Sequence, residues 1–513
     1  MKGSLHQGPL RTQRDFIGLC DQLRLSFMLY PLPVLRLTRS FFDTFDWRLF
    51  QNGWVLEFDE GLPPLARLRG MGVAANYQEM PLPGVPRFAH EFPNGQMREQ
   101  LQATAGDRAL MPLGSVSLRV TPYRVSDERE KLVFHLEKEQ LLQPGDARRG
   151  RTLLATARIR TLRGYEKAGR HALSLLEQPS ERGSFPTDPF DRCMRLIGRT
   201  PGDYSTRLRI ELVPDTDARA AIAKILVFLL DIMERNLPGI EADLDAEFLH
   251  DFRIAARRSR SIINKTLGVF AAPELVRFKR EFSWLSDTTS GQRDLDVFLH
   301  DLPRYQAEAD LSGQLEPLRL LLEEDRRAEH ARLVAVLRSE RLSGFLRDWR
   351  EWLLGVAALA DASAPLLDVA SRSIGRLYRR MLKRAPLAGA GLYSEALHEL
   401  RKTGKQLRYL LEAFRSLYLE EDIELIVAQL RKLQNVLGDI VDFHVQRTHL
   451  LEWRERLGAQ PDIPPGAMVA MERLAERFDA LEKQAAERFL GRYARFAAPE
   501  TRTRIDRLFV EEP

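Results

Sequence analysis

His250, Arg253, Arg257 and Arg260 in "LHDFRIAARRSRS" share their spacing with His398, Arg401, Lys405 and Arg408 in "LHELRKTGKQLRY", each residue lying 148 positions before its counterpart (398 − 250). On a helix turning by about 100° per residue, offsets of 0, 3, 7 and 10 project within about 80° of one another, so each row occupies one narrow face. Cations stacked in this way repel by a few tenths of a kcal/mol per pair, and folding alone does not favour an uncomplemented stripe. A solvated face or an intramolecular ion-pair seam would explain one such row. Repetition in register favours an anionic ligand. Arg258 and Lys402 adjoin the two rows and are further candidates.

A third stripe, Arg372, Arg376, Arg379 and Lys383, projects within about 60° on its own helix. In the first copy only Lys224 and Arg235 match it, at Arg372 and Lys383, so the expected basic surface is lopsided. Four helices lining one electropositive groove would suit an extended polyanion better than a small molecule. Single-stranded nucleic acid would call for aromatic platforms, yet only Phe252 and Tyr409 lie among these residues. Base reading in a duplex would call for Asn or Gln, and only Gln406 qualifies. A linear phosphate chain needs neither, because arginine forks and lysine point charges bind its oxygens directly. Nucleic acid therefore ranks second among partners, beside an acidic peptide.

The histidines head both rows without an HxxxH or an acidic pair on the same face, which argues against metal ligation. Phosphate contact and interior packing stay open for them. Asp294 in "SGQRDLDVF" follows His250 by 44 residues, and Asp442 in "LGDIVDFHV" follows His398 by the same interval. With Asp296, these aspartates are expected to orient the basic side chains through charged hydrogen bonds.

The elements that position these residues are helices. From about Asp215 onward, apolar residues recur at three- and four-residue spacing with few prolines, and Asp215 or Asp217 supplies a cap. The first two hundred residues are instead broken by Gly and Pro, with alternating runs in "GSVSLRVTPYRV", "KLVFHLEKE" and "TLLATARIRTL" that read as strands. The fold class is thus α+β: a β-rich domain over 1–213, then an all-α domain over 214–513 with repeats at about 217–360 and 364–495. At 513 residues two or three domains are expected, and a net charge of +5 makes the placement of charge, not its total, decide the partner. Cys20 and Cys193 suggest neither a disulfide framework nor a zinc site, and a reducing cytoplasm is the natural reading. The longest apolar stretch, "AAIAKILVFLLDIM", is interrupted by Lys224 and Asp231 and is too short to span a bilayer.

"LHDFRIAARRSRS" with "SGQRDLDVF", and "LHELRKTGKQLRYLLEAF" with "LQNVLGDIVDFHV", closely resemble the two halves of the CHAD domain, the conserved histidine α-helical domain, over roughly residues 217 to 495. The resemblance implies inorganic polyphosphate as ligand in a basic groove between two four-helix halves, and association with polyphosphate granules. Its basic positions match at the eight residues of the two rows. Ser290 departs from the family's usual glycine, which Gly438 supplies in the second copy, and should alter a turn there.

"RSFFDTFDWRLFQNGWVLEF", with Asp43, Thr44, Asp46, Arg48, Leu49 and Gly53, is similar to part of the CYTH family, a β-barrel-like tunnel that hydrolyses triphosphates with a divalent metal. "TLLATARIRTLRGYE" and "RLRIELVP" look like its later strands. The resemblance implies a first strand of pattern ExExK, but no glutamate occurs in "MKGSLHQGPLRTQRDFIGL". Glu57 and Asp59 stand where inward arginines are usual and should repel phosphate, while Glu137, Glu139 and Glu211 remain as stray carboxylates. A degenerate, non-catalytic tunnel is the expectation, with no cofactor; Mg or Mn enters only under the alternative of a metal-dependent triphosphatase.

Overall fold

A computed structural model describes residues 5–10, 13–61, 63–71, 74–75, 77–142, 152–176, 189–266, 268–270, 272–311, 313–358, 364–384 and 394–509. The chain divides into two compact units, Met1–Ser205 and Thr206–Pro513.

The first unit is built on an antiparallel curled sheet. In chain order its elements are β1 (Leu5–Leu10), α1 (Gln13–Leu23), β2 (Met28–Pro31), β3 (Leu35–Asp43), α2 (Arg48–Gln51), β4 (Trp54–Glu60), β5 (Leu65–Gly70), β6 (Ala74–Ala75), β7 (Tyr77–Pro81), α3 (Gln96–Ala105), β8 (Met111–Ser126), β9 (Leu132–Leu142), β10 (Thr152–Thr161), α4 (Glu166–Leu176) and α5 (Pro189–Leu196). The strands run in the order β6-β1-β10-β9-β8-β3-β4-β5-β7, with β2 beside β8. Because β6 and β7 are consecutive in the chain yet pair with opposite edges, the sheet is brought round on itself. The three alternating runs of the sequence form β8, β9 and β10. Period-two alternation sends one set of side chains to the outer cores and the other into the curl. Asp43 holds the entry to α2 by accepting from the backbone N–H of Thr44, Leu49 and Phe50 at 2.7–2.9 Å.

The second unit is helical: α6 (Ala218–Glu241), α7 (Ala246–Lys265), α8 (Ala272–Thr288), α9 (Ser290–Glu308), α10 (Glu316–Leu337), α11 (Glu340–Ala357), α12 (Leu366–Arg384), α13 (Glu395–Ala413), α14 (Glu420–Gly458), α15 (Pro465–Phe496) and α16 (Pro499–Phe509). Asp217 caps α6, accepting from the Ala220 N–H at 2.9 Å; Asp245 and Ser394 cap α7 and α13. The apolar stretch at 220–233 lies inside α6 as a buried helix. Gly239 lets α6 and α7 approach closely, since the Phe248 ring fills the space that a Cβ at 239 would need.

The repeat of the sequence becomes a pseudo-two-fold axis. Asp217 forms an isolated antiparallel bridge with Pro365, its own equivalent 148 positions on (365 − 217). Equivalent helices also pack on each other, α6 on α12 and α7 on α13. A residue meeting its own counterpart is what an isologous, two-fold arrangement requires. The halves share one core, in which Leu295, Phe298 and Leu322 of the first meet Trp453 and Phe478 of the second.

One expectation fails. "RLRIELVP" is not a strand: residues 207–213 are irregular and belong to the helical unit, where Ser416 holds them through the Ile210 carbonyl at 3.0 Å and the Leu212 N–H at 3.2 Å. At the Ser290/Gly438 difference the two copies do differ in a turn. Gly438 lies inside the continuous α14, and the break falls at Thr289 in the first copy. Thr289 Oγ1 donates back to the Leu285 carbonyl at 2.7 Å and Ser290 Oγ to that of Asp287, competing with the helical ladder, whereas the position equivalent to Thr289 is the buried Leu437.

Candidate polyanion site of the helical unit

Helices α7 and α13 pack against each other with their basic rows about the two-fold, and Arg257 acts electrostatically on Lys405, its own equivalent. Apolar residues explain the orientation. Phe248, Leu249, Phe252 and Ile262 on α7, and Leu397, Leu400, Leu407 and Leu411 on α13, are buried, which leaves the cations on the remaining faces. Burial is the largest influence on the half-buried Lys405 and pushes its ammonium down to about 7; Arg401, Arg257 and Arg408 push the same way, and Asp442 opposes them. Among the described residues no carboxylate hydrogen-bonds Lys405, Arg257 or Arg260. Burial, with Lys402 and Arg401 adding to it, holds His398 below the usual imidazole range. Half-buried His250 and His398 lie near the N-terminal ends of α7 and α13.

Other members of the rows are held by protein partners. Arg253 is buried and donates to the Ser286 carbonyl at 3.0 Å and to Thr289 Oγ1. Its equivalent Arg401 has no threonine to meet and donates to Asp442 at 2.8 Å. Asp442 therefore orients a cation as anticipated, while Asp294 acts on Arg253 and Arg257 through space. Asp296 does not serve the row: it is buried against Arg326 at 2.7 Å, which also holds Asp243. Arg258 donates to Glu412 at 2.9 Å and to the Thr206 carbonyl; Glu412 also meets Arg408 at 3.5 Å and Arg431 at 3.3 Å. Tyr409 is buried with the Arg258 and Arg408 guanidinia near its ring, and offers no face to a nucleobase. Lys402 is exposed and paired with Glu399.

The third stripe forms its own patch. Arg372, Arg376, Arg379 and Lys383 are exposed on α12, where Arg372 and Arg376 border a cleft of about 280 Å³ with Gly268, Val269 and Ala364. The α12 residues that act on α7 are Arg380 and Arg384, through Lys265, neither of which the stripe singled out.

Inside the curled sheet of the first unit, arginines and carboxylates form a buried lattice. Arg39 meets Asp59 at 2.6 Å and Glu139 at 2.8 Å; Glu57 takes Arg69 at 2.7 Å and Arg158 at 3.2 Å; Arg160 meets Glu79 at 2.6 Å and Glu137 at 3.6 Å; Arg67 pairs with Asp59. Burial alone would raise Glu57, but Arg158, Arg39 and Arg69 together hold it well below the usual carboxylate range. Cys193 of α5 borders the cavity beside Arg39, Glu57 and Glu139, and burial pushes its thiol up to about 12. Glu57, Asp59, Glu137 and Glu139 are thus neither bare repellents of phosphate nor stray. Exposed Glu211 lies in the irregular 207–213 segment of the other unit. Among the described residues no group of three His, Cys, Asp or Glu is placed to hold a metal ion, and each inward carboxylate is already ion-paired with arginine, so this donor set does not fit a divalent cation. The signal for the lattice was readable as i, i+2 pairs in "LEFDE", "LARLRG", "LEKEQ" and "TARIRT".

Two linked helical halves with a cationic seam define a CHAD-type module. The helical unit contains a match to the CHAD domain family, over residues 224–451. CHAD domains are associated with polyphosphate- and triphosphate-related functions. Two uncharacterized proteins of Mycobacterium tuberculosis are 30% identical over 284 residues, 53% of this chain and 52% of theirs, so the chain spans about half the length of the curated relatives it matches. Among solved structures, the CHAD domain from the plant Ricinus communis is 26% identical with a TM-score of 0.45, covering 54% of this chain and 94% of that one. PptA from Streptomyces chartreusis is 15% identical with a TM-score of 0.42, covering 54% and 99%. A Hippeastrum protein with a dominant triphosphatase activity is 15% identical with a TM-score of 0.27, covering 40% and 100%. Among the described residues no helix is long and apolar enough to cross a membrane.

Proposed function

We propose that the helical unit binds inorganic polyphosphate along the seam of α7 and α13, with Arg257, Arg260, Lys405, Arg401 and Arg408 contacting successive phosphates and the α12 patch (Arg372, Arg376, Arg379, Lys383) extending the track. The observation that carries this reading is the meeting of Arg257 and Lys405 at the two-fold, where cations crowd a desolvated lysine. Desolvation and repulsion disfavour that arrangement in the free protein, and a polyanion reverses both. Arg253 and Arg258, tied to protein partners, support the walls. A chain that binds in this way would concentrate on polyphosphate granules. Nucleic acid is disfavoured by the burial of Tyr409.

The test is titration of the full chain with long-chain polyphosphate by fluorescence anisotropy, for the native protein and for the Arg257→Glu/Lys405→Glu double variant. Loss of at least about a hundredfold in affinity is expected, with log K falling linearly against log salt. Unchanged affinity in a variant that keeps its helical circular dichroism would sink the proposal.

A further inference from the structure

We infer that the cleft between α12 and the α7–α8 connection is a binding site for small organic phosphates, in which two guanidinia take the phosphate and an apolar wall takes the organic body. The site does not depend on the seam of α7 and α13.

The cleft holds about 280 Å³, close to the lower end of the range of small-molecule pockets. Arg372 and Arg376 border it from successive turns of α12, and both are exposed. Arg372 Nε donates to the Asp368 carbonyl at 3.1 Å, which leaves its two Nη groups to a ligand. Among the described residues no carboxylate pairs with either guanidinium. Ser373, next to Arg372 in the chain, also lines the cleft and is only 3% exposed, yet among the described residues nothing hydrogen-bonds its hydroxyl. A buried hydroxyl without a partner is unfavourable, and one bordering a cavity can be satisfied by what enters it. The rest of the lining is apolar: Val269 and Val369 are buried, with Ala364 and Gly268 beside them. Inorganic polyphosphate would use the guanidinia and leave that wall wet. An organic phosphate uses both.

The equivalent place across the pseudo-two-fold is built differently. On α6, Phe228 and the buried Ile225 stand where α12 has Arg376 and Ser373 (376 − 228 and 373 − 225 are both 148). Gly268 corresponds to Ser416 (416 − 268 = 148), whose hydroxyl holds the segment 207–213 through the Ile210 carbonyl and the Leu212 N–H. Gly268 has no side chain to hold a segment in this way. Its φ of +81° disfavours any other residue, and among the described residues a Cβ there would meet nothing within 4 Å. One place is thus apolar and strapped by chain, while the other is cationic, carries an unpaired hydroxyl and stands open.

The full chain is titrated with 1-naphthyl phosphate, followed by the ligand's fluorescence and by calorimetry, and compared with inorganic phosphate and 1-naphthol. The ester is expected to bind at least about tenfold more tightly than either fragment. Arg376→Phe, which installs the residue of the equivalent position, should weaken it at least about tenfold, and Ser373→Ala by about two- to tenfold. Arg257→Glu/Lys405→Glu, with its helical circular dichroism intact, should bind the ester as the native chain does. Affinity no greater than that of inorganic phosphate, or affinity that survives both α12 changes, would overturn the inference. Loss of binding in the folded seam variant would overturn it as well, since the ester would then be held in the seam.

Discussion

Raising the pH should weaken polyphosphate binding, because one of its contacts loses its charge just above neutrality. In the free protein Lys405 titrates near 7, with burial as the main cause and Arg401, Arg257 and Arg408 adding to it against Asp442. A bound phosphate chain favours the ammonium form, so its pKa rises in the complex and binding above pH 7 takes up a proton. Affinity therefore falls as pH rises through 7, by roughly fivefold between pH 7 and 8 and approaching tenfold per unit beyond, on the order of 1 kcal/mol per unit. His398, held below the usual imidazole range by burial and by Lys402 and Arg401, would add the same sign at lower pH. The assay is anisotropy with long-chain polyphosphate at fixed ionic strength from pH 6.5 to 8.5, repeated calorimetrically in buffers of different ionisation enthalpy to count the proton. Lys405→Met should bind more weakly and flatten the curve. The same variant should be more stable without ligand. Its folded-state pKa is depressed, so the charged lysine opposes folding most below pH 7, and that opposition fades as pH rises toward the unfolded value of about 10.4. A rise of a few degrees in Tm at pH 6 is expected. A native curve that is flat, or that climbs with pH, would refute the reasoning.

Glu57→Ala should destabilise the first unit by about 3–5 kcal/mol, since it strands Arg69 and Arg158 in a buried site; the check is calorimetry, with polyphosphate affinity unchanged. Glu412→Gln removes the carboxylate shared by Arg258, Arg408 and Arg431 and should lower the stability of the helical unit by about 1–3 kcal/mol, read by urea denaturation. Because Arg408 is freed by the same change, polyphosphate affinity at low salt should rise.

The repeat, the helical character and the cationic rows were legible because each is a matter of spacing, and helical geometry turns spacing into a face. What spacing cannot say is where a long side chain ends. Arg258 reads like Arg257 in "AARRSRS", but one residue of offset turns it toward Glu412, 154 residues away. Asp296 sits two residues from Asp294 and is captured by Arg326, whose part in the fold no local pattern announces. The helix break beside Ser290 falls at Thr289, where a buried hydroxyl competes for a helical carbonyl, a tertiary event that spacing does not announce. In the first unit the carboxylates were visible and their arginine partners were overlooked, since Arg39 and Glu139 meet across 100 residues of chain.

The asymmetry between the copies bears on why the row is made twice. A strict two-fold would place like beside like on the axis, two arginines or two lysines. Here the axis joins an arginine to a lysine, and burial brings the lysine's ammonium down to about 7. Thr289 against Leu437 works in the same direction, locking Arg253 inside the first half while Arg401 is left to Asp442, whose carboxylate is mostly exposed and can yield to a stronger anion. The first copy thus supplies fixed charge and the second supplies charge that responds to ligand and to pH. Lys405→Arg separates these roles: affinity above pH 8 should rise over the native value while the pH dependence disappears, and an unchanged slope would place the titrating group elsewhere.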